Sequence, residues 1–177
     1  MPLSPEDAAP RHDEVDRIID GWRRARTDLD VAPLAVFSRI SRLSRYLEVA
    51  RRTAFADAGL EGWEFDMLSA LRRSGEDALS PGALMHETLV TSGTMTTRID
   101  KLVARGLVSK NRSPHDGRAV EVRLRADGVA RVDAAMERLL EAEQELLEPL
   151  APDGRAELAD TLRSLLLTFE TDAPHGA

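Results

Sequence analysis

The sequence predicts a mostly α-helical chain with one small β-hairpin. Apolar residues recur at helical spacing along most of its 177 residues, whereas apolar and charged residues alternate strictly from Val120 to Arg125. A content of 42% hydrophobic and 31% charged residues fits a folded, helix-rich protein. Because only 4% of the residues are aromatic, we expect an aliphatic core.

The N-terminal region is predicted to form a tail and two helices. Residues 1–12 are rich in proline, alanine and acidic side chains and should be disordered. A first helix should begin near Asp13, and a longer one should run from Pro33 to Ala58, before Gly59. The first helix has an apolar face of Val15, Ile18, Ile19 and Trp22. The longer helix has a coiled-coil-like seam of Val36, Ile40, Leu43, Leu47, Ala50 and Ala54.

Three further helices are predicted in the middle of the chain. Residues 61–73 show helical periodicity, with Trp63, Met67, Ala70 and Leu71 on one face. Ser80 is a hydroxyl N-cap, and Pro81 suits the first position of the short helix that follows. A third helix should be capped at Thr91 and end at Gly106, which can adopt the left-handed conformation that closes a helix.

The third of these helices has the composition of a DNA-reading helix. Its apolar stripe consists of Met95, Ile99, Leu102 and Val103. Its other positions, including Arg105, are mostly short polar or cationic. Two helices joined by a short turn, the second with such a face, form a helix-turn-helix whose second helix can enter a major groove. The predicted DNA contacts are Ser92, Thr94, Thr96, Thr97, Arg98 and Lys101. Ser92 can equally cap the helix.

A basic hairpin follows this recognition helix. Its predicted strands are residues 107–112 and 119–125. Such a wing lies along the phosphates or reaches the minor groove, and Arg112 and Arg118 are its candidate DNA contacts. Asp116 is predicted to hold the wing by pairing with an arginine or with the turn backbone, because phosphates repel a carboxylate.

The charge distribution favours DNA as the partner. Residues 91–125 contain eight basic and three acidic side chains, although the whole chain has a net charge of −7. An acidic protein with one basic segment offers a focused site for a polyanion, here double-stranded DNA. The alternative is a helical protein-interaction or adapter module without DNA binding, whose basic helix face is simply solvated.

Two apolar helices complete the chain, one from Ala126 to Leu147 and one beginning at Pro152. We predict four segments: a disordered tail (1–12), N-terminal helices for dimerisation and a ligand cleft (13–58), a winged helix-turn-helix domain (59–125) and C-terminal dimerisation helices (126–171). The end helices are more apolar than one small core can hide, which predicts a homodimer. Its two recognition helices would lie about 34–36 Å apart on a pseudo-palindromic operator. The alternative is that the end helices fold back onto their own chain.

Three short motifs resemble the MarR family of winged helix-turn-helix regulators. They are Leu79-Ser80-Pro81, Gly106-Leu107-Val108 and Asp116-Gly117-Arg118, the last followed by alternating Val120, Val122 and Leu124. The resemblance extends over nearly the whole chain. It implies a transcriptional regulator, usually a repressor, that a small ligand releases from its operator.

Four residues are similar to the ligand site of the urate-responsive branch of that family. They are Trp22, Asp66, Arg98 and Arg112. The resemblance implies that an aromatic or anionic effector such as urate stacks on Trp22 in a cleft. From the helix faces alone, Asp66 could also pair with Arg98, and a ligand that competes for this ion pair would shift the recognition helix. The alternative is that Trp22 belongs to a dimer core and Asp66 is a solvated surface charge.

The sequence argues against several other classes. The chain has no cysteine, which excludes disulfides, zinc–thiolate sites and thiol-based redox sensing. It has no nucleophile elbow and no glycine-rich phosphate loop, and its four histidines are far apart, so we predict no enzyme activity, no cofactor and no metal site. No apolar run approaches a membrane span and the N-terminus does not resemble a signal peptide, which predicts a cytoplasmic protein with no membrane partner.

Overall fold

The computed structural model of the protein describes residues 12–88, 90–113 and 119–170. This part of the chain contains seven α-helices and one two-stranded antiparallel sheet. They are α1 (Glu14–Ala25), α2 (Leu34–Asp57), α3 (Gly62–Arg73), α4 (Pro81–Thr88), α5 (Ser92–Ala104), β1 (Val108–Arg112), β2 (Val120–Leu124), α6 (Ala126–Leu146) and α7 (Pro152–Glu170). The predicted fold class, mostly α with a small β-wing, is confirmed. The residues divide into two compact units, one up to Val49 and one from Ala50 onward.

The first unit consists of α1 and the N-terminal part of α2. Asp13 caps α1 by accepting from the backbone N–H groups of Val15 and Asp16, so the predicted start near Asp13 is confirmed. A small buried cluster of Val15, Ile19 and Val31 holds the unit together. Arg39 of α2 adds an ion pair, with its Nε 2.8 Å from Asp13 Oδ2.

The second unit has one continuous core that the helix-turn-helix, the sheet and α6 share. Its largest fully buried apolar side chains are Met67, Leu68, Leu84, Met95, Ile99, Leu102, Leu107, Val108, Val122 and Val132. The C-terminal end of α2 joins this core through Phe55, whose ring stacks on that of Phe65 with centroids 4.1 Å apart. The α2 seam pattern selected Ala54 and overlooked Phe55, because a rule of apolar spacing gives no weight to a single aromatic beside the seam.

Local signals fix the start of α4 and the end of α5 as predicted, whereas the cap bond expected from Thr91 is not formed. The Ser80 hydroxyl accepts from the N–H of Ala83 at 3.1 Å at the start of α4. Gly106 ends α5 with φ of 73°, in the left-handed region that suits glycine. Thr91 occupies the N-cap position of α5 but makes no side-chain cap bond, and its hydroxyl donates instead to Thr94 Oγ1 at 3.1 Å.

The two-stranded sheet of the wing contacts the segment before α4 and the start of α6. Val108 pairs with Leu124 and Arg112 with Val120 at its two ends. Leu79, just before α4, adds an isolated bridge to Val122. At the start of α6, a Cβ added to Gly128 would lie 2.1 Å from the carbonyl oxygen of Leu107, so only glycine allows this close approach.

The burial of individual side chains adds detail to the predicted apolar stripes and segments. Val103, placed in the apolar stripe of α5, is 38% exposed, because it lies at the edge of the face that Met95 and Ile99 define. The α2 seam is largely uncovered within the chain, and Leu43 is 61% exposed. The boundary predicted at residue 126 divides residues of one core, since Val132, Ala135 and Leu139 of α6 are buried with the winged module.

The last helix differs from the others in the second unit. None of the residues of α7, from Pro152 to Glu170, is buried. The apolar side chains predicted on α7 are exposed to solvent. In the described part of the chain, no helix combines the length and the apolarity needed to span a membrane.

Candidate nucleic-acid interface

The N-terminal half of α5 presents small polar side chains. Ser92, Thr94, Thr96 and Thr97 are all exposed, as the sequence predicted for groups that meet base edges. The hydroxyls of Thr96 and Thr97 donate to the carbonyl oxygens of Ser92 and Gly93, at 3.3 and 3.2 Å. Each hydroxyl oxygen can still accept a hydrogen bond, and each threonine also carries a methyl group that can contact thymine.

Two cations of α5 lie over the indole of Trp63. The guanidinium carbon of Arg98 is 5.4 Å from the ring centroid, and the Nζ of Lys101 is 5.9 Å from it. Trp63 Nε1 donates to Glu61 Oε2 at 2.7 Å. Sequence reasoning placed Trp63 on one face of α3 and missed this contact. The available signal was the rarity of tryptophan, since the chain has only two.

Arg105, which was expected on the outer basic face of α5, is a structural residue. Its guanidinium forms an ion pair with Glu64, which is only 2% exposed, and donates to the carbonyl oxygen of Gly59 at 2.7 Å. Glu64 also accepts from the backbone N–H of Glu61 at 2.9 Å. The charge of Arg105 is therefore used to fix the C-terminal end of α5 to the start of α3.

The two strands of the wing and Arg125, which directly follows them, include both paired and unpaired cations. Lys110 Nζ lies 3.0 Å from Asp100 Oδ1 of α5, and Arg123 Nη2 lies 2.7 Å from Glu121 Oε2. Arg112 and Arg125 are exposed and have no acidic partner among the residues that the structure describes. The predicted DNA contact Arg118 and the predicted wing support Asp116 lie outside the described residues. The unpaired arginines keep their charge available to phosphates.

The residues proposed for a ligand have other partners than expected. Asp66 Oδ1 lies 3.8 Å from Arg51 Nη2, and the guanidinium of Arg51 also lies over the ring of Phe55. Arg98 contacts Trp63, so within the described residues the expected ion pair between Asp66 and Arg98 is absent. Trp22 belongs to the first unit, outside its buried cluster, and is 48% exposed.

The second unit also has a mainly apolar cleft between α3 and α6. Its volume is about 300 Å³, and its lining includes Phe65, Val132 and Met136. An ion pair closes one side, with Arg72 Nε 2.9 Å from Asp133 Oδ1. The hydrogen bond from Arg72 lowers the pKa of the Asp133 carboxyl below its ordinary value. Sequence reasoning did not identify this cleft.

Comparison with known proteins gives a consistent family. The sequence profile described as MarR family matches residues 58–119. The HTH-type transcriptional regulator PecS of Dickeya dadantii is 32% identical over 149 residues, which cover 84% of this chain and 90% of PecS.

Two solved structures match most of the chain. A MarR variant of E. coli, complexed with operator DNA, matches with a TM-score of 0.63 and 23% identity. The match covers 82% of this chain and 97% of the MarR variant, and it concerns the fold alone. The Bordetella bronchiseptica protein BpsR, whose DNA binding is regulated by 6-hydroxynicotinic acid, matches with a TM-score of 0.60 and 27% identity over 78% of this chain and 94% of its own.

Proposed function

The chain belongs to the MarR family of DNA-binding transcriptional regulators and is not an enzyme, and we propose that it acts as a cytoplasmic homodimeric repressor. In this proposal the dimer binds a pseudo-palindromic operator, and a small aromatic or anionic ligand releases it. The observation that carries the proposal is the face of α5, where exposed hydroxyls stand beside Arg98 and Lys101 and next to a basic wing.

The proposed DNA contacts fall into two groups by chemistry. Side chains near the N-terminus of α5 would meet base edges in the major groove, and the cations of α5 and the wing would meet guanine or phosphate. The first group is Ser92, Thr94, Thr96 and Thr97, and the second is Arg98, Lys101, Arg112 and Arg118. Asp116 would support the wing rather than touch the duplex.

The proposed homodimer is supported by apolar side chains that the chain leaves uncovered. On α7, five leucines and one phenylalanine are exposed, and Phe37, Leu43 and Tyr46 of α2 are exposed as well. Soluble monomers rarely expose large apolar patches, and a second copy of the chain, bound to the other half of the proposed pseudo-palindromic operator, would cover these side chains.

The proposed effector is a planar acid. The aromatic acid that regulates BpsR and the resemblance to the urate-responsive branch both support this class of ligand. The exposed indole of Trp22 offers a flat stacking surface, and Arg98 and Arg112 offer positive charge. Asp66, held by Arg51, would accept an N–H group of the ligand.

Duplex binding at several salt concentrations tests the DNA contacts. We expect Arg112→Ala and Arg118→Ala each to weaken binding to selected and random duplexes alike and to lower the salt slope by about one, because each removes one phosphate contact. Arg138→Ala is the matched control, because Arg138 is an exposed arginine that pairs within α6 with Glu141. An unchanged salt slope in both wing variants would contradict the proposed contacts.

Titration of the protein–duplex complex with urate and 6-hydroxynicotinic acid tests the effector. We expect at least one of these acids to release the wild-type protein from the duplex. Trp22→Ala should keep its DNA affinity but lose the response, and Trp22→Phe should retain part of it because a stacking ring remains. A full response in Trp22→Ala would exclude the proposed role of the indole.

A further inference from the structure

The indole of Trp63 is fixed in the first turn of α3. The side chain is partly buried and packs against the core of the second unit. Its Nε1–H donates to the carboxylate of Glu61 at 2.7 Å. Packing and this hydrogen bond together determine the plane of the ring, so the ring is a rigid surface next to α5.

Two cations share this surface. Arg98 and Lys101 lie one turn apart on α5, and both are within about 6 Å of the ring centroid, the range of a cation–π contact. Neither side chain has an acidic partner among the described residues. A carboxylate would neutralise these charges, whereas the face of an indole holds a cation without cancelling its charge. Trp63 therefore orients both groups and leaves them positive.

Orientation matters because long cationic side chains lose rotamer freedom when they bind DNA. A guanidinium that stacks on an aromatic ring keeps its N–H groups in the guanidinium plane, where they can still donate to guanine or phosphate. The ring can hold Arg98 before and during binding, so part of the ordering cost is met when the protein folds.

We propose that Trp63 is a positioning residue for DNA recognition, which holds Arg98 and Lys101 in the orientation in which they meet the duplex. This inference rests on the proposed DNA contacts of those two cations. It adds the residue that makes them specific, since a fixed guanidinium distinguishes bases better than a freely rotating one.

The test uses the full-length protein and a duplex selected by the wild type from a random library, with a shuffled duplex of equal composition. We expect Trp63→Leu to weaken binding to the selected duplex by about three- to tenfold, from the loss of two partly exposed cation–π contacts. Binding to the shuffled duplex should fall less. Trp63→Phe should restore most of the affinity, and the salt slope should stay at the wild-type value because no charge is removed.

A second variant separates positioning from general stability. Phe65→Leu alters a buried aromatic side chain two residues away that stacks on Phe55. It should lower the melting temperature while leaving the ratio of selected to shuffled binding unchanged. In an Arg98→Ala, Lys101→Ala background, Trp63→Leu should have little further effect, because no cation remains to be positioned.

Three results would overturn the inference: wild-type affinity and specificity in Trp63→Leu, tighter binding in that variant, or an equal loss in the background without the two cations. If the Arg98→Ala, Lys101→Ala protein itself binds the selected duplex like the wild type, the proposed DNA contacts of Arg98 and Lys101 are wrong. The proposed role of Trp63 is then wrong as well, because it depends on those contacts. If those cations matter and Trp63 does not, only the inference about Trp63 is wrong.

Discussion

The recognition helix α5 and the last helix α7 have similar apolar stripes, yet the chain covers only one of them. Met95, Ile99 and Leu102 of α5 are at most 1% exposed, because α4 and β1 pack against this helix and the three side chains belong to the shared core. On α7, each of the five leucines from Leu158 to Leu167 is at least 37% exposed. The chain thus completes the core of its DNA-binding module by itself and leaves apolar side chains of the end helix exposed, which supports the proposed homodimer.

This contrast separates two kinds of substitution. Changes near α5 should act on a single folded chain and be visible as lost stability. Changes on α7 should act on assembly, and through assembly on the simultaneous binding of two operator halves.

The largest effect is expected from Leu162→Glu combined with Leu166→Glu on α7. We expect a monomer in sedimentation and a loss of at least about a hundredfold in affinity for a selected duplex, because linked half-sites gain roughly 10²–10⁴ in avidity. The helical circular dichroism of the second unit should persist, since its core does not use these residues.

Ser164→Glu is the control for that pair, because it adds a glutamate at an exposed polar position of α7. It should leave both assembly and affinity near wild type. A dimer of unchanged affinity in the double variant would show that α7 is not part of the interface.

The next largest effect is expected at the end of α5, where Arg105→Ala should lower the stability of the folded chain. This change leaves the buried carboxylate of Glu64 without its cation, and we expect a loss of about 3 kcal/mol in the free energy of unfolding by urea. Arg125→Ala, at an exposed arginine without an acidic partner in the described residues, should cost less than about 0.5 kcal/mol. Equal losses in the two variants would show that Arg105 does not hold α5 to α3.

These positions also show how far the sequence predicts the structure. The helix starts at Asp13 and Ser80 and the stop at Gly106 were predictable, because a cap depends on side chains within a few residues. The order of the helices and the hairpin follows from the same local signals and from the period of the apolar residues.

Contacts between distant segments were not predictable in this way. Glu64 and Arg105 are 41 residues apart, and nothing in their local pattern distinguishes Arg105 from the cations that remain available to DNA. The same holds for Trp63 and Arg98, and for Asp66, which pairs with Arg51 instead of Arg98. A periodic stripe predicts which face of a helix is apolar, but it does not say whether the same chain covers that face, as α7 shows.

Two glycines show the same contrast, because one is closely packed against the core and the other is surrounded by open space. Gly128 lies against the backbone of Leu107, and Gly128→Ala should cost about 1–3 kcal/mol, because the new methyl group overlaps a carbonyl oxygen that cannot move freely. Gly154 in the first turn of α7 has no atom within 4 Å of an added Cβ. Gly154→Ala should stabilise the protein by up to about 1 kcal/mol through better helix propensity. Urea unfolding measures both, and a neutral Gly128→Ala would contradict the close approach.

The smallest effect is expected in the first unit, where surface charge supplements a small core. Hydrogen bonds from Arg39 hold the pKa of Asp13 at about 2, below its ordinary value of 3.8. A lowered pKa means that the ionised form stabilises the fold, so this contribution is present above about pH 3.8 and is lost as the pH falls toward 2. In an NMR titration, Arg39→Gln should raise the pKa of Asp13 toward 3.8, and high salt should raise it partly, because the pair is exposed to solvent.

Arg24→Gln provides the control for this titration, because Arg24 is an exposed arginine of α1 that does not bond to Asp13. It should leave the pKa of Asp13 near 2. The core of the second unit should be insensitive to the Arg39 change, since its buried residues all follow Val49 in the chain. If Arg39→Gln instead left the titration of Asp13 unchanged, the ion pair between Arg39 and Asp13 would not contribute to the stability of the first unit.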